Sequence, residues 1–219
     1  MSVFVLFIIY ISILIFSVIL HEVAHGVAAN LLGDQTAKML GRLTLNPLPH
    51  VDLLGSIVIP LGMVLLSLFG GGSFIFGWAK PVPYNPNNFK RNKKWGEALV
   101  GIAGPATNFL LAITFGLSLR FILPLIDTMP QLLGVAIVFT IIVQLNLLLG
   151  IFNLVPIPPL DGSKLFYVLF KIPHQTKVFL ERNGFMLLLL FIFFGFGLIA
   201  PLIDSAFSLL TGASLRAVL

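Results

Sequence analysis

The sequence predicts an all-α polytopic membrane protein: about four full transmembrane helices, one re-entrant or interfacial apolar segment, and a short β-like loop region. Three observations carry that prediction. Of 219 residues, 58% are hydrophobic and only 10% are charged, whereas soluble domains carry about 25% charged residues. Uncharged stretches recur at 1–20, 53–79, 98–119, 132–160 and 183–203, and each can supply roughly the 20 apolar residues that cross a ~30 Å hydrocarbon core. The net charge of +5 resides in loops beside these stretches, which is the pattern of membrane orientation and not of nucleic-acid binding. The chain has no cysteine, so disulfides and thiolate metal sites are excluded. No internal repeat divides it, and residues 1–219 read as one domain.

The first helix is expected over about 3–32, ended by Gly33 as its C-terminal stop. Residues 1–20 lack the basic start of a signal peptide, and the apolar pattern continues beyond them as VAANLL, so this helix is expected to be retained. A polar segment follows, in which GRLTL (41–45) alternates polar and apolar residues and predicts a short strand. The apolar run 53–79 holds Pro60 near its middle and GGG at 70–72. KPVPYNPNNFKRNKK (80–94) is rich in Pro and Asn and reads as loop or extended chain. Further helices are expected over about 96–122, 131–154 and 184–203. PIPP (156–159) breaks the third of the four long helices, and LDGSKLFYVLFK (160–171) starts a new helical piece.

Ionisable residues inside these helices are expensive. A charge at mid-bilayer costs at least ~2.5–3.5 kcal/mol, yet SVILHEVAHGVAANLLG (17–33) places three ionisable side chains within one and a half turns. His21, Glu22 and His25 match H-E-x-x-H. Residues four apart share a helix face, ~5–6 Å apart at Cβ, so two neutral imidazoles can converge on one Zn²⁺ at ~2.0–2.1 Å. Glu22, one residue after the first histidine, reaches a metal-bound water and not the metal. Catalytic zinc usually takes a third protein ligand. The candidates are Asp34, His50, Asp52, Asp127, Asp161, His174, Glu181 and Asp204. Asp161 is favoured, because it follows a proline-broken helix end, and irregular backbone at membrane depth is tolerated only where it is buried or lines a polar cavity.

HEVAHG, then GPATN (104–108), then NLVPIPPLDG (153–162), each beside an apolar span, together resemble the site-2 protease family of intramembrane zinc metalloproteases (peptidase family M50). The resemblance covers about residues 10–170. GRLTLNPLPHVD and GWAKPVPYNP are similar to a compact prokaryotic branch without PDZ or CBS domains, so regulation through such modules is not expected. The resemblance implies His21, His25 and Asp161 as zinc ligands and Glu22 as the general base. It implies that Asn153 holds the substrate or the developing oxyanion, and that Gly104, Pro105 and Asn108 shape the site. His50 falls in the branch-specific stretch and is expected to have a structural or substrate-loop role. The implied activity is hydrolysis of peptide bonds in membrane-spanning or membrane-adjacent proteins, as in regulated intramembrane proteolysis. A metal transporter and an inactive client-binding relative are the rival readings, and Glu22 between the histidines argues for the protease.

A shared ligand set also constrains topology. His21 and His25 lie in the C-terminal half of the first helix, and Asp161 lies just past the end of its span. An even number of full crossings must separate them. Helices 96–122 and 131–154 provide two, so 53–76 is expected to be a re-entrant or interfacial excursion. That arrangement puts every Lys and Arg except Arg120 and Arg216 on one side. The positive-inside rule then places the N-terminus outside the cell membrane and the site nearer the cytoplasmic face.

Overall fold

The computed structural model describes residues 2–59, 62–63 and 79–215. Most of the excursion expected over 53–76, including Pro60 and the three glycines, lies outside the described residues. Four described helical stretches are long and apolar enough to cross a membrane: Val3–Leu32, Gly96–Leu125, Pro130–Asn153 and Gly184–Thr211. The last runs eight residues past the expected boundary of 203.

Helix α1 (Val3–Leu32) begins at Ser2, whose hydroxyl accepts from the Val5 amide at 3.4 Å. It ends at Gly33, which adopts φ 108° while its N–H bonds the Ala29 and Asn30 carbonyls. That left-handed cap is open to glycine without a Cβ penalty. The polarity of α1 is inverted relative to a soluble helix. Ser17, His21, His25, Ala29 and Leu32 form its buried stripe, while Phe4, Phe7, Phe16 and Leu31 are exposed. In lipid the outside is the apolar solvent, so a buried stripe can carry the polar groups.

Short helix α2 (Thr36–Met39) follows. Helix α3 (Gly96–Ile122) is the central pillar, packing on α1, on α4 (Leu133–Asn153), on α5 (Gly162–Leu169) and on the last span. Its buried face is a run of small residues: Gly96, Ala98, Gly101, Gly104, Ala112 and Gly116. Small residues let membrane helices approach closely where no hydrophobic effect drives association. Helix α6 (His174–Arg182) is exposed. The last span comprises α7 (Gly184–Leu190), a π-helical turn over Phe191–Gly195, and α8 (Phe196–Thr211). Ala112 and Leu119 of α3, Ala136, Val143 and Leu147 of α4, and Ile199, Ile203 and Phe207 of α8 form the apolar core.

Contacts fix the directions of these helices. His25 meets Val100 and His21 meets Asn108, so α1 and α3 run antiparallel. Leu32 O accepts from the Lys90 and Arg91 amides at 2.8 and 3.2 Å. The chain therefore leaves α1 and reaches α3 on the same side. The two flanks of the 53–76 segment also meet, with the Lys80 amide donating to His50 O at 2.9 Å.

The strand expected over 41–45 is not formed, and the described residues contain no strand. GRLTL makes a turn and bends instead. The physical reason lies in its neighbour. The facing segment contains Pro81 and Pro83, which have no N–H for a ladder. Arg42 turns inward and donates to the Lys80 and Pro81 carbonyls at 2.8 and 3.2 Å.

Candidate metal centre

The centre assembles where α1, α3 and the start of α5 meet. His21 and His25 lie one turn apart on the buried stripe of α1, with ring centroids 4.7 Å apart. Their Nε2 atoms are 3.0 Å from each other, and each lies 3.0 Å from Asp161 Oδ2. Three donor atoms from positions up to 140 residues apart thus form one compact triangle.

The proline-broken turn delivers Asp161. Helix α4 ends at Asn153, the chain turns through Pro156, Pro158 and Pro159, and α5 starts at Gly162. The Pro158–Pro159 bond is cis. A Cβ at Gly162 would collide with the Leu154 carbonyl oxygen, so the turn can fold back this tightly only with glycine after the aspartate. Asp161 precedes α5 but does not cap it, since its side chain bonds no α5 amide. Its Oδ1 is instead held by Lys164 Nζ at 2.9 Å, leaving Oδ2 for the histidines. Lys164 in turn lies over the Tyr84 ring, 5.3 Å from its centroid.

The outer ring nitrogens decide what the triangle can bind. His25 Nδ1 lies 2.6 Å from Val100 O, a carbonyl that can only accept, so that nitrogen carries the proton. His21 Nδ1 lies 2.5 Å from Asn108 Oδ1 and donates in the same way. Neutral imidazoles so held present bare lone pairs at Nε2. Two imidazole lone pairs and one carboxylate oxygen, mutually 3.0 Å apart, repel unless a cation lies among them. The chemistry of the donor set therefore fits zinc, which takes His nitrogen and Asp oxygen at ~2.0–2.2 Å.

Gly104 makes room for this triangle. A Cβ there would lie 2.5 Å from His25 Nε2 and 2.6 Å from His21 Nε2, closer than non-bonded atoms approach. Pro105, inside α3 and buried, has no N–H to offer the Gly101 carbonyl one turn earlier.

Glu22 faces the other wall. Its Oε2 accepts from the Val82 amide at 2.7 Å, and its carboxylate lies within 4.8 Å of the histidine donor atoms. The Val82 amide belongs to the strap 80–84, which Arg42 holds through two carbonyls. The strap seats directly on α1: a Cβ at Gly26 would meet Leu43 Cδ2 at 2.5 Å and Val82 Cγ1 at 2.9 Å.

The remaining candidates lie elsewhere. Asp34 anchors the base of the strap, accepting from Thr36 N, Thr36 Oγ1, Asn85 N and Asn88 Nδ2. Burial alone would raise its pKa, but these donors, Thr36 and Asn88 foremost, hold the carboxyl below its ordinary value. His50 is buried, with Nε2 3.0 Å from Thr44 O, and its backbone joins the strap. Asp52 Oδ1 accepts from Gly55 N at 2.7 Å. Asp127, His174, Glu181 and Asp204 are exposed. Asn153 is half-buried at the last residue of α4, its amide donating to Leu149 O at 2.9 Å. No hydrogen bond among the described residues joins it to the triangle.

The residues that support the candidate ligands, Glu22 and the strap were not evident in the sequence: Ser17, Arg42, Val82, Asn146 and Lys164. Two signals could have found some of them. Ser17 continues the four-residue spacing of His21 and His25, and Asn146, with Gln144, interrupts the apolar run IIVQLNLLLG (141–150).

A family model described as peptidase family M50 matches residues 9–124 and 128–194. The chain is 42% identical to "Putative zinc metalloprotease YwhC" of Bacillus subtilis over 154 residues, 69% of this chain and 64% of that protein. It is 32% identical to "Putative zinc metalloprotease Rip2" of Mycolicibacterium smegmatis over 157 residues, 71% of this chain and 55% of that protein. With "Putative zinc metalloprotease Rip3" of Mycobacterium tuberculosis it shares 34% identity over 139 residues, 62% of this chain and 30% of that protein. The chain therefore spans less than two thirds of the length of each of these relatives. No solved structure matches the chain.

Proposed function

This chain belongs to peptidase family M50, and from that premise we propose that it is an intramembrane zinc metalloprotease. The reaction is hydrolysis of peptide bonds in membrane-spanning or membrane-adjacent proteins, the chemistry of regulated intramembrane proteolysis. One observation supports this most: His21, His25 and Asp161, remote in sequence, bring two imidazole nitrogens and a carboxylate oxygen within 3.0 Å of one another beside the Glu22 carboxylate.

In this reading His21 Nε2, His25 Nε2 and Asp161 Oδ2 hold the metal. Bound there, zinc supplies the Lewis acidity that makes water a nucleophile near neutral pH. Glu22 would act as the general base, accepting a proton from the attacking water and returning it to the leaving amine. The Val82 amide holds Glu22 Oε2, which leaves Oε1 as the working oxygen and fixes the carboxylate plane. Lys164 engages Asp161 Oδ1 and so orients the carboxylate with Oδ2 toward the two imidazoles, where it would hold the metal. Asn153 is assigned the substrate or oxyanion contact, for which its amide has a second N–H beside the one given to the Leu149 carbonyl.

The protein works in the lipid bilayer of the cell membrane, its partner a membrane-protein substrate. The basic strap region 80–94 and the C-terminal end of α1 share one surface, which by the positive-inside rule supports a site nearer the cytoplasmic face. The test is a proteolysis assay on the detergent-purified protein with a membrane-segment substrate. Cleavage that is abolished by a chelator, restored by zinc and absent in Glu22→Gln supports the proposal. Cleavage insensitive to chelator and to Glu22→Gln contradicts it.

A further inference from the structure

The proton on His21 is placed by a relay that begins in a different helix. Asn108 meets His21 Nδ1 with an amide group, and an amide has two faces: Oδ1 accepts, Nδ2 donates. If Asn108 were turned over, its Nδ2 would face Nδ1, the ring proton would move to Nε2, and the lone pair required for metal would be lost. Something must therefore fix the orientation of the Asn108 amide.

The fixing residue is Asn146 of α4, which is fully buried like Asn108. Asn146 Nδ2 donates to the Ile142 carbonyl and to Ser17 Oγ, both at 2.9 Å. The Ile142 carbonyl can only accept, so the Asn146 amide has one allowed orientation, with Oδ1 turned away. That Oδ1 accepts from Asn108 Nδ2 at 2.8 Å. Asn108 Nδ2 is thereby turned toward α4 and its Oδ1 toward His21, so among the described residues His21 Nδ1 is the group that donates to it. A buried polar group without a partner is costly, and turning either amide over would set donor against donor and acceptor against acceptor at these contacts.

We infer that Asn146, with Ser17 as its second acceptor, is a positioning residue that sets the His21 tautomer through Asn108 and so prepares Nε2 for the metal. The inference rests on the proposed zinc reading. It goes beyond that reading by linking the mid-membrane stretch of α4, which touches neither metal nor substrate, to metal affinity. His25 needs no such relay, because its Nδ1 partner is a backbone carbonyl that cannot turn over.

The experiment is zinc affinity by chelator competition on the full purified chain, for wild type, Asn146→Leu, Asn108→Leu, the double variant and Ser17→Ala. Partners behind a metal ligand are typically worth about 10- to 100-fold in affinity. Asn146→Leu is expected to weaken zinc by about that factor. The double variant should bind no more weakly than Asn108→Leu alone, because Asn146 acts only through Asn108. Ser17→Ala, which leaves the Ile142 carbonyl in place, should lose less, and keeps the relay testable if Asn146→Leu fails to fold. In histidine-labelled, zinc-loaded wild type, nitrogen NMR should show the His21 proton on Nδ1. Zinc affinity unchanged in both Asn146→Leu and Ser17→Ala, or fully additive losses in the double variant, would overturn the relay while leaving the zinc site standing. A wild type that takes up no zinc would overturn the zinc reading and the relay together.

Discussion

The two walls of the metal centre are built in opposite ways. The α3 wall is made by absence: Gly101 and Gly104 remove side chains so that backbone and imidazoles come close, and the Val100 carbonyl anchors His25 directly. The strap wall is made by polar ties. Asp34 holds the base of the strap, Arg42 holds its carbonyls, and Val82 holds Glu22. A wall set by close packing permits no added atom, because interiors are packed as densely as organic crystals. A wall set by a few hydrogen bonds loosens by degrees, at about 1.5–3 kcal/mol for each bond to a charged group. Under the proposed assignment, the contrast divides the work: metal retention falls to the α3 wall and orientation of the base to the strap wall.

Substitutions can break that contrast. The largest effect is expected for Glu22→Gln, which removes proton transfer worth about 10²- to 10⁴-fold. Peptide cleavage should fall by that factor while zinc content by atomic absorption stays at the wild-type level. Next comes Gly104→Ala, whose single methyl would fall on both Nε2 atoms. Here zinc content itself should drop, taking activity with it, and a variant that keeps full zinc would refute the packing account of this wall. Arg42→Ala should release the strap carbonyls without touching the metal. Activity is expected to fall by about tenfold, equivalent to ~1.4 kcal/mol, with zinc affinity unchanged in the same preparation.

The smallest effect concerns pH at the strap base. The folded-state pKa of Asp34 lies below its ordinary value, so its carboxylate stabilises the docked strap above the unfolded pKa of about 3.9. That contribution is lost as pH falls through the depressed folded value. Hydrogen exchange at the Asn85 amide should therefore accelerate, beyond its intrinsic pH dependence, below about pH 4. In Asp34→Asn exchange should already be faster at neutral pH and show no such acid limb.

Local patterns were legible in the sequence, and long-range ties were not. Helix α1, its Gly33 stop and the His21–His25 pair depend on spacings of four residues or fewer, so periodicity alone finds them. Asp161 came within reach because prolines announce a broken helix beside it. The strand expected at 41–45 failed for a tertiary reason: its neighbour brings prolines in place of amide donors, and Arg42 turns its side chain inward. Asn146, Arg42 and Val82 act across 38 to 129 residues of chain, and a polar residue in an apolar run does not reveal what it will meet.

The central claim is that His21, His25 and Asp161 share one zinc ion. Zinc-edge X-ray absorption on the purified chain measures this directly. The account expects two imidazole nitrogens and carboxylate oxygen at ~2.0–2.2 Å, with one imidazole missing in His25→Ala and the carboxylate missing in Asp161→Ala. A spectrum that is unchanged by Asp161→Ala, or a chain that holds no zinc, would contradict it.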